Sequence, residues 1–499
     1  MKIFTATQTQ ALDKATIERE GISSLDLMER ASEQLFEAFV ERYEEGREVL
    51  VFAGTGNNGG DALALARLLS RLKGAYQIKV FTFDAAQRSV DNKANLDALL
   101  DLFDIQVKLM LLEEDVPTIS PEAIVVDGIF GTGLNRPPEG LPAFVIKQIN
   151  ASGAEVFAID IPSGLMAEEN LFLNDATIAA DMVLSFQFPK LSFLLSDAAP
   201  YIADWEIRDI GIDPLSIEEM RTPYRFFMDE DALSLWHERP RFSHKGSFGH
   251  CLMIAGKRPM MGAAILATKA CVRTGLGLVT AHVPQNCGDL IWSSVPEALI
   301  SEDRSELMFT DELVYDAYSA VAVGPGLGTK PNSQHALLHL IQHCDKPLVL
   351  DADALNILAL NKAWLTYLPQ NSIITPHPGE FDRLTQVHNS SYERLMSQIA
   401  FAQKWQLIVV LKGAFTSIAF PDGRCSFNST GHSGLATGGS GDVLTGIIAG
   451  LLAQNYAPED ASRLGVWWHG KAADLYAEEH LPQSLLPSDL IDYMARVNI

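Results

Sequence analysis

Two short segments combine an unusually free backbone with a carboxylate. Gly54–Asp61 reads GTGNNGGD and Thr437–Asp442 reads TGGSGD. Consecutive glycines leave N–H groups free to point at an anion and let the chain approach it closely. A helix opening behind such a loop adds the positive end of its dipole. In the second segment Asp442 falls in the first predicted helical turn. A carboxylate there can take the proton of a nucleophilic hydroxyl during phosphoryl transfer. The alternative is an ordinary glycine-rich helix start with an aspartate complementing the dipole.

In the first segment Gly54, Gly56 and Gly59 match G-x-G-x-x-G, and Asp84 lies near the offset of a ribose-binding carboxylate. A plain dinucleotide turn keeps small apolar groups where this one has Asn57, Asn58, Gly60 and Asp61. A carboxylate beside a pyrophosphate is repulsive unless a cation screens it. These residues therefore point to a polar reaction site or a cation site, with a tight turn needing glycine only for chain reversal as the alternative. Asp127 (IVVDGIFGTG) and Asp160 with Ser163 (AIDIPSGL) end two further predicted strands. In an open parallel sheet such strand ends share one crevice. Asp160 is the expected acid/base, its alternative role being to position a ribose or a cation. Lys190 is an outside candidate for the same role, a solvated lysine being the expected reading.

The second half holds VGPGLG (Val323–Gly328), LDADALN (Leu350–Asn356), TPHPGEF (Thr375–Phe381) and LKGAFT (Leu411–Thr416). Lys412 can reach a phosphate and Thr416 can offer a hydroxyl. His377 sits between two prolines whose fixed φ angles set its direction, which suits a ligand contact. His335, His339 and His343 are spaced for one helix face but lack a carboxylate or cysteine design, so they read as a solvent-facing stripe. No P-loop motif occurs.

The elements that must position these residues alternate as strands and helices. Apolar runs at Val49–Ala53, Gln77–Phe83, Ile124–Asp127, Val156–Ile161 and Met182–Phe186 predict one parallel sheet covered on both faces. A second series predicts another: Cys251–Ala255, Leu278–Val283, Ala320–Val323, Leu348–Leu350, Ile373–Thr375 and Leu407–Leu411. The turn-rich, charged interval Arg208–Tyr224 separates them. The expected organisation is α/β, with domains at 1–222 and 226–499.

The chain has 499 residues with 38 Lys+Arg and 63 Asp+Glu, a formal charge of −25. That charge and the absence of any basic run argue against nucleic acid and against anionic membrane surfaces. Five scattered cysteines without a C-x-x-C pattern suit a reduced, cytoplasmic protein. The N-terminus shows no secretory h-region, and the longest apolar run, near Val443–Ala453, is too short to span a bilayer.

GTGNNGGD, VVDGIFGTGL (Val125–Leu134), AIDIPSGL, SFQFPK (Ser185–Lys190) and LMERA (Leu27–Ala31) together resemble the NAD(P)HX epimerase family over roughly residues 1–220. That family interconverts the R and S hydrates of reduced nicotinamide nucleotides. The resemblance implies a Rossmann-like three-layer sandwich with K⁺ near Asn58, Asp127 and Ser163. It implies a hydrate held by Asn57, Asn58, Gly59, Gly60, Asp61, Gly131, Thr132, Gly133, Leu134, Asn135, Arg136, Pro137 and Asp160. Ala62 departs from the family's usual glycine.

HKGSFGH (His244–His250), MGAA (Met261–Ala264), RTGLGLVT (Arg273–Thr280), VGPGLG, LDADALN, TPHPGE, LKGAFT and TGGSGD resemble the ADP-dependent NAD(P)HX dehydratase family, a branch of the ribokinase-like fold, over roughly 226–499. By that pattern the hydrate contacts Ala264, Gly326, His377 and Asp442. The adenine nucleotide contacts Lys412, Gly413, Ala414, Phe415, Thr416 and Gly441. The loop GKRPMMG (Gly256–Gly262), His432 and Leu435 depart from the pattern. Together the two resemblances imply a bifunctional NAD(P)H-hydrate repair enzyme. It would act on NAD(P)HX and ADP with K⁺ and Mg²⁺, and a homo-oligomer is expected.

Dehydration has a chemical reason to consume a phosphoryl donor. Hydroxide is a poor leaving group, water having a pKa of about 15.7 against about 6 for the second ionisation of phosphate. That gap of roughly ten units, at about 1.36 kcal/mol each, sets a ceiling near 13 kcal/mol. Even a third of it matches what one acid catalyst supplies, roughly 3–6 kcal/mol. Two other readings compete: a kinase of a small alcohol fused to a non-catalytic nucleotide-binding module, and a hydride-transferring dehydrogenase. The Asn-Asn-Gly-Gly-Asp loop weighs against the second.

Overall fold

The computed structural model describes residues 1–84, 87–102, 105–170 and 173–498. It forms two compact units. One comprises residues 2–222 with 390–392. The other comprises Met1, Pro223–Asn389 and the chain from Glu393 on.

The first unit is built on a wholly parallel sheet. Its strands lie in the order Gln106–Met110, Gln77–Phe83, Glu48–Ala53, Ile124–Gly128, Glu155–Ile159, Met182–Phe186, Trp205–Arg208. In chain order this is 3-2-1-4-5-6-7, the doubly wound arrangement, and the direction of winding reverses between Glu48–Ala53 and Ile124–Gly128. Val49, Val51 and Ala53 point into one core with Ile124 and Val126, while Leu50 and Phe52 point into the other with Val125. Apolar residues on both faces are what a sheet covered by helices on both sides requires.

The second unit's sheet runs Tyr224–Phe227, Cys425–Asn428, Ser417–Ala419, Ile408–Leu411, Ile373–Ile374, Leu348–Leu350, Ala320–Val323, His250–Ile254, Leu278–Val283, Leu299–Glu302. It is parallel except where Ser417–Ala419 pairs antiparallel with both neighbours. The helix Ser440–Ala453, buried along nearly its whole length, packs on the helix Met261–Arg273. A Cβ on Gly446 would lie 2.2 Å from the Ala267 carbonyl oxygen, so the two backbones meet with no room for a side chain.

The apolar runs read from the sequence are strands, five with the same bounds and the others shifted by one or two residues. Gln106–Met110, Trp205–Arg208, Tyr224–Phe227, Leu299–Glu302, Ser417–Ala419 and Cys425–Asn428 were not legible. Three of them, Gln106–Met110, Trp205–Arg208 and Leu299–Glu302, lie at sheet edges and are mostly only partly buried, so they lack a continuous apolar run. The pair at 417–428 is short and carries serine and asparagine inward. All five cysteines are free and buried. Among the described residues no helix is long and apolar enough to cross a membrane.

Candidate functional sites

The first site grows from the carboxyl ends of the parallel strands. The chain leaves Glu48–Ala53, turns at Gly54–Gly56, and enters the helix Asn57–Ser70. A Cβ on Gly54 would lie 1.9 Å from the Ile129 carbonyl oxygen, and one on Gly59 would lie 2.1 Å from the Gly54 carbonyl oxygen. The fingerprint glycines thus let loop, helix and neighbouring strand close on one another. A cavity of about 500 Å³ opens beside this turn.

Its walls include Asn57, Asn58, Asp61, Asp160 and the run from Gly131 to Arg136. The structure brings these expected residues together. Gly59, Gly60 and Pro137 do not line the cavity. Gly59 packs on Gly54, and Gly60 packs against Met28 and Asn92. Asp84 is exposed and also stands outside the lining.

Behind the cavity lies a buried oxygen-rich knot. The Ser163 hydroxyl donates to Asp127 Oδ1 at 2.6 Å, and the Ser163 and Ile129 N–H groups donate to the same carboxylate at 2.8 and 3.2 Å. The Phe130 N–H donates to Ser163 Oγ at 2.8 Å, and Asn58 Nδ2 donates to the Phe130 carbonyl at 2.8 Å. Burial raises the Asp127 carboxyl to about 6 despite these donors. A buried carboxylate beside carbonyl, amide and hydroxyl oxygens offers the hard oxygen donors that a cation takes.

Lys190 corrects the sequence reading. It is not solvated: its Nζ donates to Asp160 Oδ1 at 2.7 Å, with side chains only 5% and 15% exposed. The Phe186 N–H donates to the same oxygen at 3.2 Å. Asp160 itself sits at φ 62°, as does Gln187 at φ 61°, and both line the cavity. Left-handed backbone at non-glycine residues stores strain, and such strain concentrates at functional sites. The helix Ala6–Glu20 also lines the cavity through Thr9, Gln10, Leu12 and Asp13. No sequence motif marked it.

The second site likewise gathers strand ends. Leu348–Leu350 leads into Asp351, Ile373–Ile374 into His377, and Ile408–Leu411 into Lys412. Lys412 Nζ donates to Asp351 Oδ1 at 3.0 Å and lies 3.9 Å from Glu380 Oε2. Thr445 Oγ1 donates to the other Asp351 oxygen at 2.8 Å. A Cβ on Gly441 would lie 3.3 Å from Lys412 Nζ. The ammonium therefore stands over the first turn of Ser440–Ala453, where bare N–H groups and the helix dipole already favour an anion.

Asp442 lies in that turn. Burial, and then the charge of Asp351, push its carboxyl up to about 7, against the opposing pull of Lys412. The fully buried His469, lowered to about 4 by burial, braces the loop through the Ser440 carbonyl at 3.0 Å. His377 caps the helix Pro378–Leu384, its Nδ1 accepting from the Gly379 N–H at 3.1 Å, with half its side chain exposed. The Thr416 hydroxyl donates to the Gly413 carbonyl at 3.0 Å and so shapes its own loop, while Gly413 and Ala414 are exposed and Phe415 is half-buried. Gly326 abuts Met260 and Ala263 at the start of the helix that carries Ala264. Ala352, at φ 49°, turns the chain between Asp351 and Asp353, and Asp353 Oδ2 accepts from the Gly328 N–H at 2.7 Å. Asp351 and Glu380 carry contacts that the motifs contained but did not assign, and Thr445 lies just beyond TGGSGD.

The histidine stripe lies opposite the buried face of Pro331–His343, with His339 and His343 stacked at 4.0 Å. A separate cluster, His282, Asp303 and Asp311, brings ligating atoms within 4.8 Å of one another. Asp303 already accepts from Ser305, Thr310, Asp311 and His282, which makes it a structural brace.

Residues 251–496 match the NAD(P)H-hydrate dehydratase family, and residues 24–192 match the YjeF-related protein N-terminus. The bifunctional NAD(P)H-hydrate repair enzyme Nnr of Moorella thermoacetica is 35% identical over 522 aligned residues, spanning 100% of this chain and 96% of its own. A ribokinase-like superfamily protein from Enterococcus faecalis, of known structure, is 29% identical with a TM-score of 0.50, covering 56% of this chain and 97% of that one. An ADP/ATP-dependent NAD(P)H-hydrate dehydratase from Bacillus subtilis, co-crystallised with ATP and Mg²⁺, is 36% identical with a TM-score of 0.49, covering 55% and 96%.

Proposed function

This chain belongs to the bifunctional NAD(P)H-hydrate repair enzymes, and from that premise we propose how its two sites divide the reaction. The observation that carries the reading is that both halves of a full-length repair relative align with one chain whose two units each hold a built site. We assign residues 1–222 to epimerisation of R and S NAD(P)HX, and 226–499 to ADP-dependent dehydration of the S hydrate to NAD(P)H, AMP and phosphate.

In the dehydratase, Asp442 takes the proton of the hydrate's hydroxyl. The oxygen bonds to the terminal phosphorus of ADP as the bond from that phosphorus to the bridging oxygen breaks, releasing AMP. The ring-nitrogen lone pair then expels phosphate, and loss of a proton from the adjacent ring carbon restores the double bond. A base poised near neutrality suits the first step. Lys412, Gly413, Ala414, Phe415, Thr416 and Gly441 receive the nucleotide. Ala264, Gly326 and His377 contact the hydrate. Mg²⁺, when bound, neutralises charge on the donor phosphates; Asp353 and Glu380 are the carboxylates available to it.

In the epimerase, Asp160 handles a proton while Lys190 holds its carboxyl in place. The hydrate is held by Asn57–Asp61, Gly131–Pro137 and Asp160. Asn58, Asp127, Ser163 and the Phe130 carbonyl would hold K⁺, which supplies fixed positive charge beside the polar substrate. A cytoplasmic homo-oligomer, in the compartment where reduced nicotinamides turn over, completes the reading.

The test follows the absorbance of reduced nicotinamide after mixing R and S NADHX with the enzyme, ADP, Mg²⁺ and K⁺. Full recovery with release of inorganic phosphate is expected. Recovery stalling at half would remove the epimerase assignment. A stable phosphate ester as product would replace the dehydratase by a small-alcohol kinase.

A further inference from the structure

Epimerising a carbon that bears a hydroxyl and a ring nitrogen has a geometric demand. An acid gives its proton to the departing hydroxyl, the C–O bond breaks with its electrons on oxygen, and the nitrogen lone pair forms a C=N bond. Water then adds to the other face, the nitrogen recovers its pair, and a base takes the surplus proton. Water lost equals water gained. Leaving group and incoming water lie on opposite faces, which a single small side chain cannot serve at hydrogen-bond distance.

Asp160 can serve one face. It reaches the cavity from the carboxyl end of its strand, held by Lys190. Asp13 reaches the same cavity from another wall, the helix Ala6–Glu20. That helix is held by a capping box at Thr5 and Gln8 and ended by Gly21 at φ 67°. It lies ahead of residue 24, where the family match begins. Among the described residues no hydrogen bond or ion pair occupies the Asp13 carboxyl, so its oxygens are free for a ligand.

Resting on the epimerase reading above, we propose that Asp13 is the second proton-transfer residue of the first site, working with Asp160 from the helix Ala6–Glu20. The surroundings of the two carboxyls differ: Asp160 is paired with Lys190 and Asp13 is not. Burial, and then the charge of Asp160, raise Asp13 to about 6, while Lys190 acts the other way. The other charged groups around it are Asp61, itself pushed upward by burial, and the cavity-lining Arg136. Paired groups held in different protonation states are how one site gives and takes a proton.

The experiment uses the full chain with mixed R and S NADHX, ADP, Mg²⁺ and K⁺. The first half of recovery reads the dehydratase and the second half reads the epimerase. For Asp13→Asn the first phase is expected at wild-type rate and the second slowed about 10²–10⁴-fold. Asp13→Glu should restore part of the second phase with a displaced pH profile. Wild-type enzyme stalling at half would sink the epimerase reading itself. Wild-type enzyme reaching full recovery, with Asp13→Asn equally fast in the second phase, would overturn the role of Asp13 alone. So would both variants slowing only in proportion to a lowered melting temperature, with the pH profile unmoved.

Discussion

Lys190 donates to Asp160 across 2.7 Å inside the first cavity, and neither side chain is more than 15% exposed. The pair joins the end of Glu155–Ile159 to a residue beyond Met182–Phe186, two strands that are neighbours in the sheet. Removing one member leaves the other buried and uncompensated, which typically costs about 3–5 kcal/mol. Lys190→Met should therefore lower unfolding free energy by roughly 3 kcal/mol and abolish the second recovery phase. Denaturant titration of Lys190→Met against the double variant Lys190→Met, Asp160→Asn checks it. The double variant should regain part of the lost stability, and equal stability of the two would count against a coupled pair.

Burial pushes the Asp442 carboxyl up to about 7, and the proposed base role requires its ionised form. The dehydratase rate should rise with pH through about 7 and level above it. Asp442→Asn should lower that rate about 10²–10⁴-fold. The stability effect has the opposite sign. Because the folded carboxyl holds its proton above the unfolded value, the unliganded protein loses stability as pH climbs from the ordinary carboxylate range toward 7. Asp442→Asn should thus be the more stable protein at pH 8, by roughly 1–4 kcal/mol, and gain nothing below pH 4. Thermal melts across pH report this directly.

Asp351 holds Lys412 with one oxygen and Thr445 with the other. Asp351→Asn keeps the shape but removes the charge that aims the ammonium. Charge-assisted hydrogen bonds contribute about 1.5–3 kcal/mol, so nucleotide affinity should fall roughly 10–100-fold. Thr445→Val should have a smaller effect in the same direction. Calorimetric titration with ADP and Mg²⁺ measures both, and unchanged affinity in Asp351→Asn would remove the positioning role.

The Asp127 carboxyl, raised to about 6 by burial, competes for protons with any cation at Asn58 and Ser163. At 100 times its dissociation constant K⁺ should stabilise the first unit by about 2.7 kcal/mol at pH 8, and by about half as much at pH 5, where proton competition weakens binding roughly tenfold. Replacing K⁺ with tetramethylammonium should slow the second recovery phase and spare the first. Equal melting temperatures in the two salts at pH 8 would exclude the site.

Gly59 and Gly56 stand three residues apart and answer differently to a methyl group. A Cβ at Gly59 meets the Gly54 carbonyl at 2.1 Å, whereas nothing lies within 4 Å of one at Gly56. Gly59→Ala should destabilise by more than about 3 kcal/mol and Gly56→Ala by less than about 1, as measured by denaturant midpoints.

Much of this protein was legible in its sequence. Apolar runs such as Val49–Ala53 and Leu348–Leu350 declare buried parallel strands, because a strand covered on both faces has no polar side to disguise it. GTGNNGGD and TGGSGD declare tight glycine-dependent turns at helix starts, because only glycine permits such close backbone approach. The rest depended on which distant elements meet. Lys190 and Asp160 are thirty residues apart in the chain, and no spacing rule joins them until neighbouring strands do. Asp13 sits in a helix without any motif, and only its docking beside the cavity gives it a chemical setting. Residue type and local spacing set what each group can do, since those follow from covalent chemistry and backbone freedom. Tertiary packing alone decided which groups are charged, paired or open to a ligand, since burial and proximity set the electrostatic cost of each state.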